Sequence, residues 1–307
     1  MKCLGFFILV LGLAGCATST QQVDTFLLKN HSIPNSMAID NVPFIQQSAG
    51  FCGPAALTMV LLAQGKTVSV EDIAPQVFTP LSKGTFQTDL ISASRRQGML
   101  ALPVEGLENL LSEIAAGHPV IVFENLALSW LPQWHYAVVF GYDLSNQTVL
   151  MHSGPEAFKK WDLRKFERSW KLGNYWGLVI VPPGSLSATS SELSHVKAAA
   201  ALEELGKLNE ADVSYRRILQ TWPNSLVAGI GAANIAAKKN FPLEAFQFLE
   251  TTSRAHPESA VVWHNLAFAQ STLHKTLDAR KSAQKAIQLA SPDEKLIYSK
   301  NLKSLLD

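Results

Sequence analysis

The sequence has few cysteines and no excess of charge of either sign. Its 307 residues include 3 Cys, 26 Lys and Arg, and 25 Asp and Glu, which give a formal net charge of +1. A nucleic-acid-binding surface needs clustered positive charge, and the Lys and Arg residues form no basic stripe, so we expect no nucleic-acid partner. Hydrophobic residues make up 47% of the chain and charged residues 17%. This composition is typical of a globular protein, and the length is sufficient for two domains.

Patterns typical of metal and nucleotide sites are also missing. Histidines scattered along the chain show no spacing typical of metal ligands. They are His118, His152, His195, His256, His264 and His274. The segment Gly65-Lys66-Thr67 is similar to the end of a phosphate-binding loop, but Val60 stands where that loop requires its first glycine. We therefore expect no metal, no cofactor and no nucleotide.

No apolar run is long enough to cross a bilayer, which takes about 20 residues. Residues 4–13 form a shorter apolar stretch behind the positive charge of Lys2, and this arrangement is typical of a signal peptide. The next motif, Leu13-Ala14-Gly15-Cys16, resembles the lipobox of bacterial lipoproteins.

The lipobox resemblance implies a signal peptide at 1–15 and a lipidated Cys16 that anchors the mature chain to a membrane. Because residue 17 is Ala rather than Asp, it also implies sorting to the outer membrane, facing the periplasm. Residues 16–40 are polar and are predicted to be a tether. With Cys3 removed and Cys16 acylated, Cys52 is the single remaining thiol, and we expect no internal disulfide.

Cys52 stands where a Gly-containing segment becomes an apolar helix. A thiol at a helix N-terminus is exposed to the positive end of the helix dipole, which favours the thiolate. Gln46, six residues earlier, could donate a side-chain N–H to an oxyanion, and Gln47 is the alternative donor. His135 opens a strand-like apolar run and is a candidate general base. The simpler alternative for Cys52 is a cysteine packed in a helix.

The order of predicted elements indicates an α+β domain. Helices are predicted at 55–63, 70–78, 85–98 (capped by Thr85), 107–116 and 161–170, and strands at 119–123, 135–141, 148–151 and 175–181. Trp130 and Trp134, just before His135, could wall a substrate groove or serve as packing. The segment 184–191 is rich in Ser and follows two prolines, so it is predicted to be an interdomain linker.

After this linker the chain is helical and repetitive. Ala211, Ala245 and Ala279 recur with a spacing of 34 residues, and Pro223 and Pro257 share that spacing. This pattern resembles the tetratricopeptide repeat, in which a small residue lets two helices approach and a proline ends the second. The simpler alternative is a generic helical bundle. The predicted units are 192–225, 226–259 and 260–293, followed by a capping helix at 294–306 that completes a repeat domain at 192–307.

The Gln46 and Cys52-Gly53-Pro54 cluster, with His135 and a hydrophobic strand far downstream, resembles the bacteriocin-processing peptidases that cut after a double-glycine leader. The resemblance covers roughly residues 41–182. It implies an α+β papain-like cysteine peptidase domain at 41–183. Together with the repeat resemblance, this predicts a peptidase domain followed by an all-α tetratricopeptide-repeat solenoid.

The same resemblance implies a role for each site residue. Cys52 would be the nucleophile and His135 the general base, while Gln46 and the Cys52 backbone N–H would form the oxyanion hole. The family also has an Asp about 16 residues after the His, where this sequence has Met151. Ser153 or His152 could orient the imidazole instead.

Asp143, eight residues after His135, is the third candidate for orienting the imidazole.

These features predict a cysteine peptidase acting on a peptide or protein, with the repeats binding a protein partner. The alternatives are a pseudo-peptidase that acts as a binding scaffold in the periplasm, and an acyl transferase that uses the same Cys–His pair.

Overall fold

The computed structural model describes residues 20–47 and 50–306. The first domain has the strands β1 (Ser36–Ala38), β2 (Phe78–Thr79), β3 (Gly84–Thr85), β4 (Leu100–Glu105), β5 (Val120–Asn125), β6 (Trp134–Asp143), β7 (Thr148–Ser153), β8 (Glu156–Asp162) and β9 (Trp176–Val181). Its helices are α1 (Gln21–Leu28), α2 (Cys52–Ala63), α3 (Val70–Val77), α4 (Gln87–Arg96), α5 (Leu107–Ala115) and α6 (Leu163–Leu172).

A seven-stranded antiparallel sheet forms the centre of this domain. The strand order is β4-β9-β5-β6-β7-β8, and β1 pairs with the far end of β6. Strands β2 and β3 form a separate hairpin. Glu124 of β5 lies opposite His135 of β6, and the register of β7 with β8 shifts between Met151 and Ser153. The ends of β5, β6 and β7 that carry Glu124, His135 and Ser153 therefore meet at one edge of the sheet.

Helices cover both faces of the sheet. Helices α2, α3 and α4 lie on one face, where Leu57 and Leu61 of α2 pack with Tyr136 and Val138 of β6. Helices α1, α5 and α6 lie on the other face, with Trp170 of α6 in their core. Helix α2 is apolar on all sides, as expected for a helix enclosed by protein. Its burial against β6 brings its N-terminus to the edge of the sheet.

Several elements differ from the sequence prediction. Strands β1, β4 and β8 were not predicted, and α6 begins at Leu163, after the end of β8. Thr85 does not cap α4; it belongs to β3, and α4 begins after Phe86. Strand β8 has largely exposed side chains, so the alternation of buried and exposed residues that identifies a strand is absent there.

The predicted tether is only partly correct. Cys16 lies outside the described residues, but residues 20–40 do not all extend away from the domain. Helix α1 buries Val23 and Phe26 in the core shared with α5 and α6. Its first N–H groups, from Gln22 and Val23, donate to the Glu167 carboxylate at 3.0 Å each. These contacts attach α1 to the first domain.

The second domain consists of helix pairs with the predicted period. The helices are α7 (Glu192–Glu204), α8 (Leu208–Thr221), α9 (Leu226–Lys238), α10 (Pro242–Ala255), α11 (Ala260–Thr272), α12 (Thr276–Leu289), α13 (Pro292–Asn301) and α14 (Lys303–Leu306). Ala211, Ala245 and Ala279 are all buried, so the small residue stands where the helices of each pair pack closely. The last two helices cap the array.

The two domains share a hydrophobic core and a polar junction. Leu102 of β4 and Val179 of β9 pack with Ala199 and Leu202 of α7.

Within the described residues, no helix has the length and apolar character of a membrane span.

The polar junction is centred on the buried carboxylate of Glu113 on α5. It accepts hydrogen bonds from Ser187 Oγ at 2.5 Å, Thr189 N–H at 2.8 Å and Ala188 N–H at 3.1 Å. Residues of the predicted linker are therefore fixed against the first domain.

Candidate active site

Cys52 is the first residue of α2 and borders a cleft at the edge of the sheet. Pro54 follows in the first turn, where a helix needs no proline N–H. Gly53 packs so closely on β3 that an added Cβ would lie 2.4 Å from Thr85 Oγ1. The β2–β3 hairpin thus packs on the N-terminus of α2, beside the thiol.

The Cys52 thiol is partly buried, and this burial raises the pKa of Cys52 above its ordinary value. Backbone N–H groups of Tyr136, Gly53 and Cys52 itself hydrogen-bond the sulfur and oppose the rise. The predicted stabilisation of the thiolate is therefore present, but desolvation outweighs it. Because Tyr136 directly follows His135, its hydrogen bond also places the sulfur beside the backbone of the predicted base.

His135 is buried near the start of β6. Burial, together with the positive charge of Lys159, lowers the pKa of His135 to about 4. Near neutral pH the imidazole is therefore uncharged, which is the form that accepts a proton as a general base. Cys52 and His135 are thus both neutral in the resting protein.

Of the three residues considered for orienting His135, the structure brings Ser153 to it. Ser153 Oγ lies 3.2 Å from His135 Nε2. Both ring nitrogens of His152 instead contact backbone groups, Val42 O at 3.1 Å and the Phe158 N–H at 3.2 Å. The register shift before Ser153 makes its position difficult to infer by counting residues.

Asp143 lies far from this contact, at the other end of β6. Its carboxylate accepts hydrogen bonds from the backbone and side chain of Asn146 in the β6–β7 turn. The structure therefore leaves Ser153 as the residue next to the imidazole.

The structure places Gln47, rather than Gln46, in the cleft. Gln46 is exposed and does not line the cleft, whereas Gln47 does. Both amide atoms of Gln47 are buried without a hydrogen-bond partner. The spacing of six residues before Cys52 therefore selected Gln46, whereas its neighbour Gln47 is the residue that lines the cleft. Gln47, the alternative donor, is the one whose N–H groups are available to a ligand.

The cleft has a volume of about 760 Å³. The β2–β3 hairpin forms one wall with Lys83, Gly84 and Thr85, and aromatic residues form the other. Phe123 stacks on Trp134 with ring centroids 5.0 Å apart. Trp134, but not Trp130, is among the residues that line the cleft. The Trp134 side chain is therefore placed to contact a substrate.

Two features of the site were not predicted from the sequence. One is the β2–β3 hairpin, whose strands of two residues each are too short for a recognisable pattern. The other is Glu124, a fully buried carboxyl group on β5 directly opposite His135. The sequence signal for Glu124 was a charged residue within an otherwise apolar strand, since Lys, Glu and Asp are rarely buried without a partner.

Among the residues that the structure describes, no three His, Cys, Asp or Glu side chains lie close enough to hold a metal ion. The polar groups that line the cleft include the Cys52 thiol, the His135 imidazole and the amides of Gln47 and Gln133. This set of groups is suited to nucleophilic attack on a carbonyl carbon and to binding the oxyanion that results.

Comparison with known proteins agrees with this geometry. Residues 39–175 match a family model described as Peptidase_C39 like family. No curated protein sequence matches the chain. The family match confirms that the first domain is similar to a peptidase family, as its motifs predicted. The helix pairs confirm the repeat domain that follows.

Several solved structures are similar to parts of the chain. The peptidase domain of Streptococcus ComA, a bi-functional ABC transporter, shares 20% identity over 47% of this chain and 99% of that one, with a TM-score of 0.39. A double glycine motif protease from an AMS/PCAT transporter, solved with the leader peptide, shares 21% identity over 47% and 93%, with a TM-score of 0.36.

The repeat domain is similar to MamA of Desulfovibrio magneticus RS-1. This protein shares 21% identity over 39% of this chain and 66% of that one, with a TM-score of 0.35. A double mutant of MamA matches over 64% of its length. The chain thus spans slightly less than two thirds of the MamA chains that it matches.

Proposed function

We propose that the first domain is a cysteine peptidase in which Cys52 attacks a peptide carbonyl and His135 transfers the proton. The observation that carries this proposal is the convergence of Cys52, His135 and the unpartnered amide of Gln47 on one cleft. The match of this domain to a peptidase-like family supports it.

The reaction begins with a neutral pair. His135 takes the Cys52 proton as the sulfur forms a bond to the carbonyl carbon, and the C=O π electrons move onto oxygen. The imidazolium then donates this proton to the departing amine as the C–N bond breaks, leaving a thioester. Water, deprotonated by His135, attacks the thioester and releases the carboxylic acid and the Cys52 thiol.

Gln47 and the backbone of Cys52 are the proposed donors to the oxyanion. The first N–H groups of a helix have no acceptor within the helix, so the Cys52 N–H, which faces the sulfur in the resting site, can donate to the oxyanion once the sulfur has attacked the carbonyl carbon. The Gln47 amide has no partner in the described structure. Fixed donors of this kind act on charge that develops in the transition state.

A lipid on Cys16 would anchor the enzyme to a membrane, with the outer membrane facing the periplasm as the expected site. This proposal is supported by the lipobox-like motif before Cys16. Replacing Cys16 with Ser should move the protein from the membrane to the soluble fraction on cell fractionation. Continued membrane association of this variant would disprove anchoring through Cys16.

The repeat domain would bind a peptide or protein partner. Helices α9, α10 and α11 surround a groove of about 440 Å³ that combines amides with an exposed aromatic ring. Asn234, Asn265 and Phe268 are among the residues that line it. Amides of this kind can bind a peptide backbone, while the ring contacts an apolar side chain.

A catalytically weak scaffold is the second candidate, because Ser153 stands where a carboxylate would orient His135 more strongly. Cleavage of a peptide library by the wild-type protein and by Cys52→Ala, followed by mass spectrometry, separates the two candidates. We expect cleavage by the wild type alone. An equal set of products from Cys52→Ala would disprove the peptidase proposal, and partner binding without any cleavage would favour the scaffold.

A further inference from the structure

Glu124 is a buried carboxyl group that has no role in the reaction steps proposed above. Its side chain is fully buried within the described structure. One oxygen, Oε2, accepts a hydrogen bond from Ser169 Oγ of α6 at 2.7 Å, whereas Oε1 has no partner. Leaving a buried acceptor unsatisfied destabilises a fold, so the retention of Glu124 requires an explanation.

The position of Glu124 indicates which residue it affects. Glu124 and His135 are direct partners in the antiparallel pairing of β5 and β6. Directly opposed residues project to the same face of a sheet, with their Cβ atoms about 5 Å apart. A carboxyl group therefore approaches the proposed general base from the neighbouring strand, on the face of the sheet that carries α6.

We propose that Glu124 is a positioning residue for His135, whose imidazolium form it stabilises when Cys52 transfers its proton. This inference rests on the proposed peptidase function. Ser153 Oγ lies next to Nε2 of the ring, but a hydroxyl group carries no negative charge. Ser153 thus orients the imidazole, and Glu124 supplies the charge from a different strand.

The charges around Glu124 allow it to ionise near neutral pH. Burial raises the pKa of Glu124 to about 7, although the Ser169 hydroxyl and the positive charge of Lys159 oppose the rise. Ser169 of α6 donates a hydrogen bond to Glu124, Lys159 of β8 acts on it through its positive charge, and His135 of β6 lies opposite it in the strand pairing. An opposite charge within about 4–6 Å favours the charged form of a group. Above pH 7, ionised Glu124 should make His135 a stronger base.

The test is the rate at which iodoacetamide alkylates Cys52 in the full chain, measured across the pH range in which thiols and imidazoles titrate. In the wild type we expect the rate to rise through about pH 7, where Glu124 ionises. Glu124→Gln should abolish this inflection and lower the rate at pH 8 about tenfold, which corresponds to about one unit in the pKa of His135. Glu124→Asp should restore part of the rate.

Glu167→Gln is the matched control. Glu167 is also a fully buried carboxylate of this domain, but it accepts hydrogen bonds from α1 rather than facing His135. Its substitution should leave the pH profile unchanged. If Glu124→Gln does not fold, Ser169→Ala provides a second variant. Because the Ser169 hydroxyl lowers the pKa of Glu124, its loss should move the inflection to higher pH.

The outcomes separate this inference from the proposed function. If His135→Ala removes the enhanced reactivity of Cys52 but Glu124→Gln leaves the profile unchanged, Glu124 has no positioning role and the Cys52–His135 pair stands. An unchanged profile in folded Ser169→Ala would also overturn the inference. If the wild-type rate only follows an ordinary thiol titration and His135→Ala has no effect, the proposed peptidase chemistry itself fails.

Discussion

Substitution of Gln47 by Ala should slow peptide hydrolysis strongly without destabilising the fold. Loss of one oxyanion donor typically lowers kcat about 100- to 1000-fold, or about 2.7–4 kcal/mol. The Gln47 amide makes no hydrogen bond in the described structure, so its removal breaks no contact of the resting protein. The free energy of unfolding should therefore stay the same or rise slightly, since a buried unsatisfied amide is lost.

Gln46→Ala provides a matched control at the adjacent position. Gln46 is exposed and lies outside the cleft, so its loss should change kcat by less than about twofold, in line with surface substitutions generally. The measurements are kcat and KM for a peptide identified from the library, together with urea unfolding of each variant.

The distribution of the loss between kcat and KM is as informative as the size of the loss in kcat. An interaction made only in the transition state changes kcat and kcat/KM equally and leaves KM in place. A large loss in Gln46→Ala with normal activity in Gln47→Ala would refute the assignment made from the structure. It would instead assign Gln46 as the oxyanion donor, as the six-residue spacing predicted.

Two further predictions concern stability. Gly53→Ala places a Cβ 2.4 Å from Thr85 Oγ1, so urea denaturation should show a loss of about 1–3 kcal/mol, typical of overpacking; unchanged stability would mean that the hairpin moves freely. For Glu113, burial raises the pKa, but hydrogen bonds from His118, Ser187, Thr189 and Ala188 outweigh it and hold the pKa at about 2. Because the folded-state pKa is depressed, the stabilisation is complete above about pH 4.5 and is lost as pH falls toward 2, by about 3 kcal/mol in all. Glu113→Gln should lose this acid-dependent part of the unfolding free energy, measured by urea denaturation as a function of pH. An unaltered pH dependence in this variant would show that Glu113 is not its cause.

Local sequence patterns were sufficient for much of the fold. The spacing of Ala211, Ala245 and Ala279 predicted helix pairs because each small residue reports on one local helix contact. Helix α1 was missed because its short apolar face, which includes Val23 and Phe26, lies in a polar segment that was interpreted as a tether. Their burial depends on α5 and α6, which are distant in sequence, so no local pattern could predict it.

The site was predictable only where its residue types are distinctive. Cys52 was identified because a thiol in a Gln-Cys-Gly-Pro cluster at a helix start is an unusual combination. His135 was identified only together with that cluster, because a His before a hydrophobic strand is a weak signal alone. The choice between Gln46 and Gln47 depends on the course of the backbone before α2, which spacing does not determine. The role of Glu124 depends on the register of two strands, since a shift by one residue would move its side chain to the other face.

The neutral state of the resting site would suit a lone thiol in the periplasm, the oxidising compartment proposed above for this protein. A thiolate reacts with oxidants much faster than a thiol does, and Cys52 lacks a second cysteine that could protect it in the described residues. Burial raises the pKa of Cys52 and lowers that of His135, so the unliganded site holds little thiolate. Partial ionisation of Glu124 near neutral pH then provides the negative charge that the Cys52–His135 pair needs when a substrate is bound. The Cys52 thiol is thus weakly reactive in the unliganded site, and in the proposed reaction the Glu124 carboxylate on β5 stabilises the imidazolium that forms when His135 takes the thiol proton.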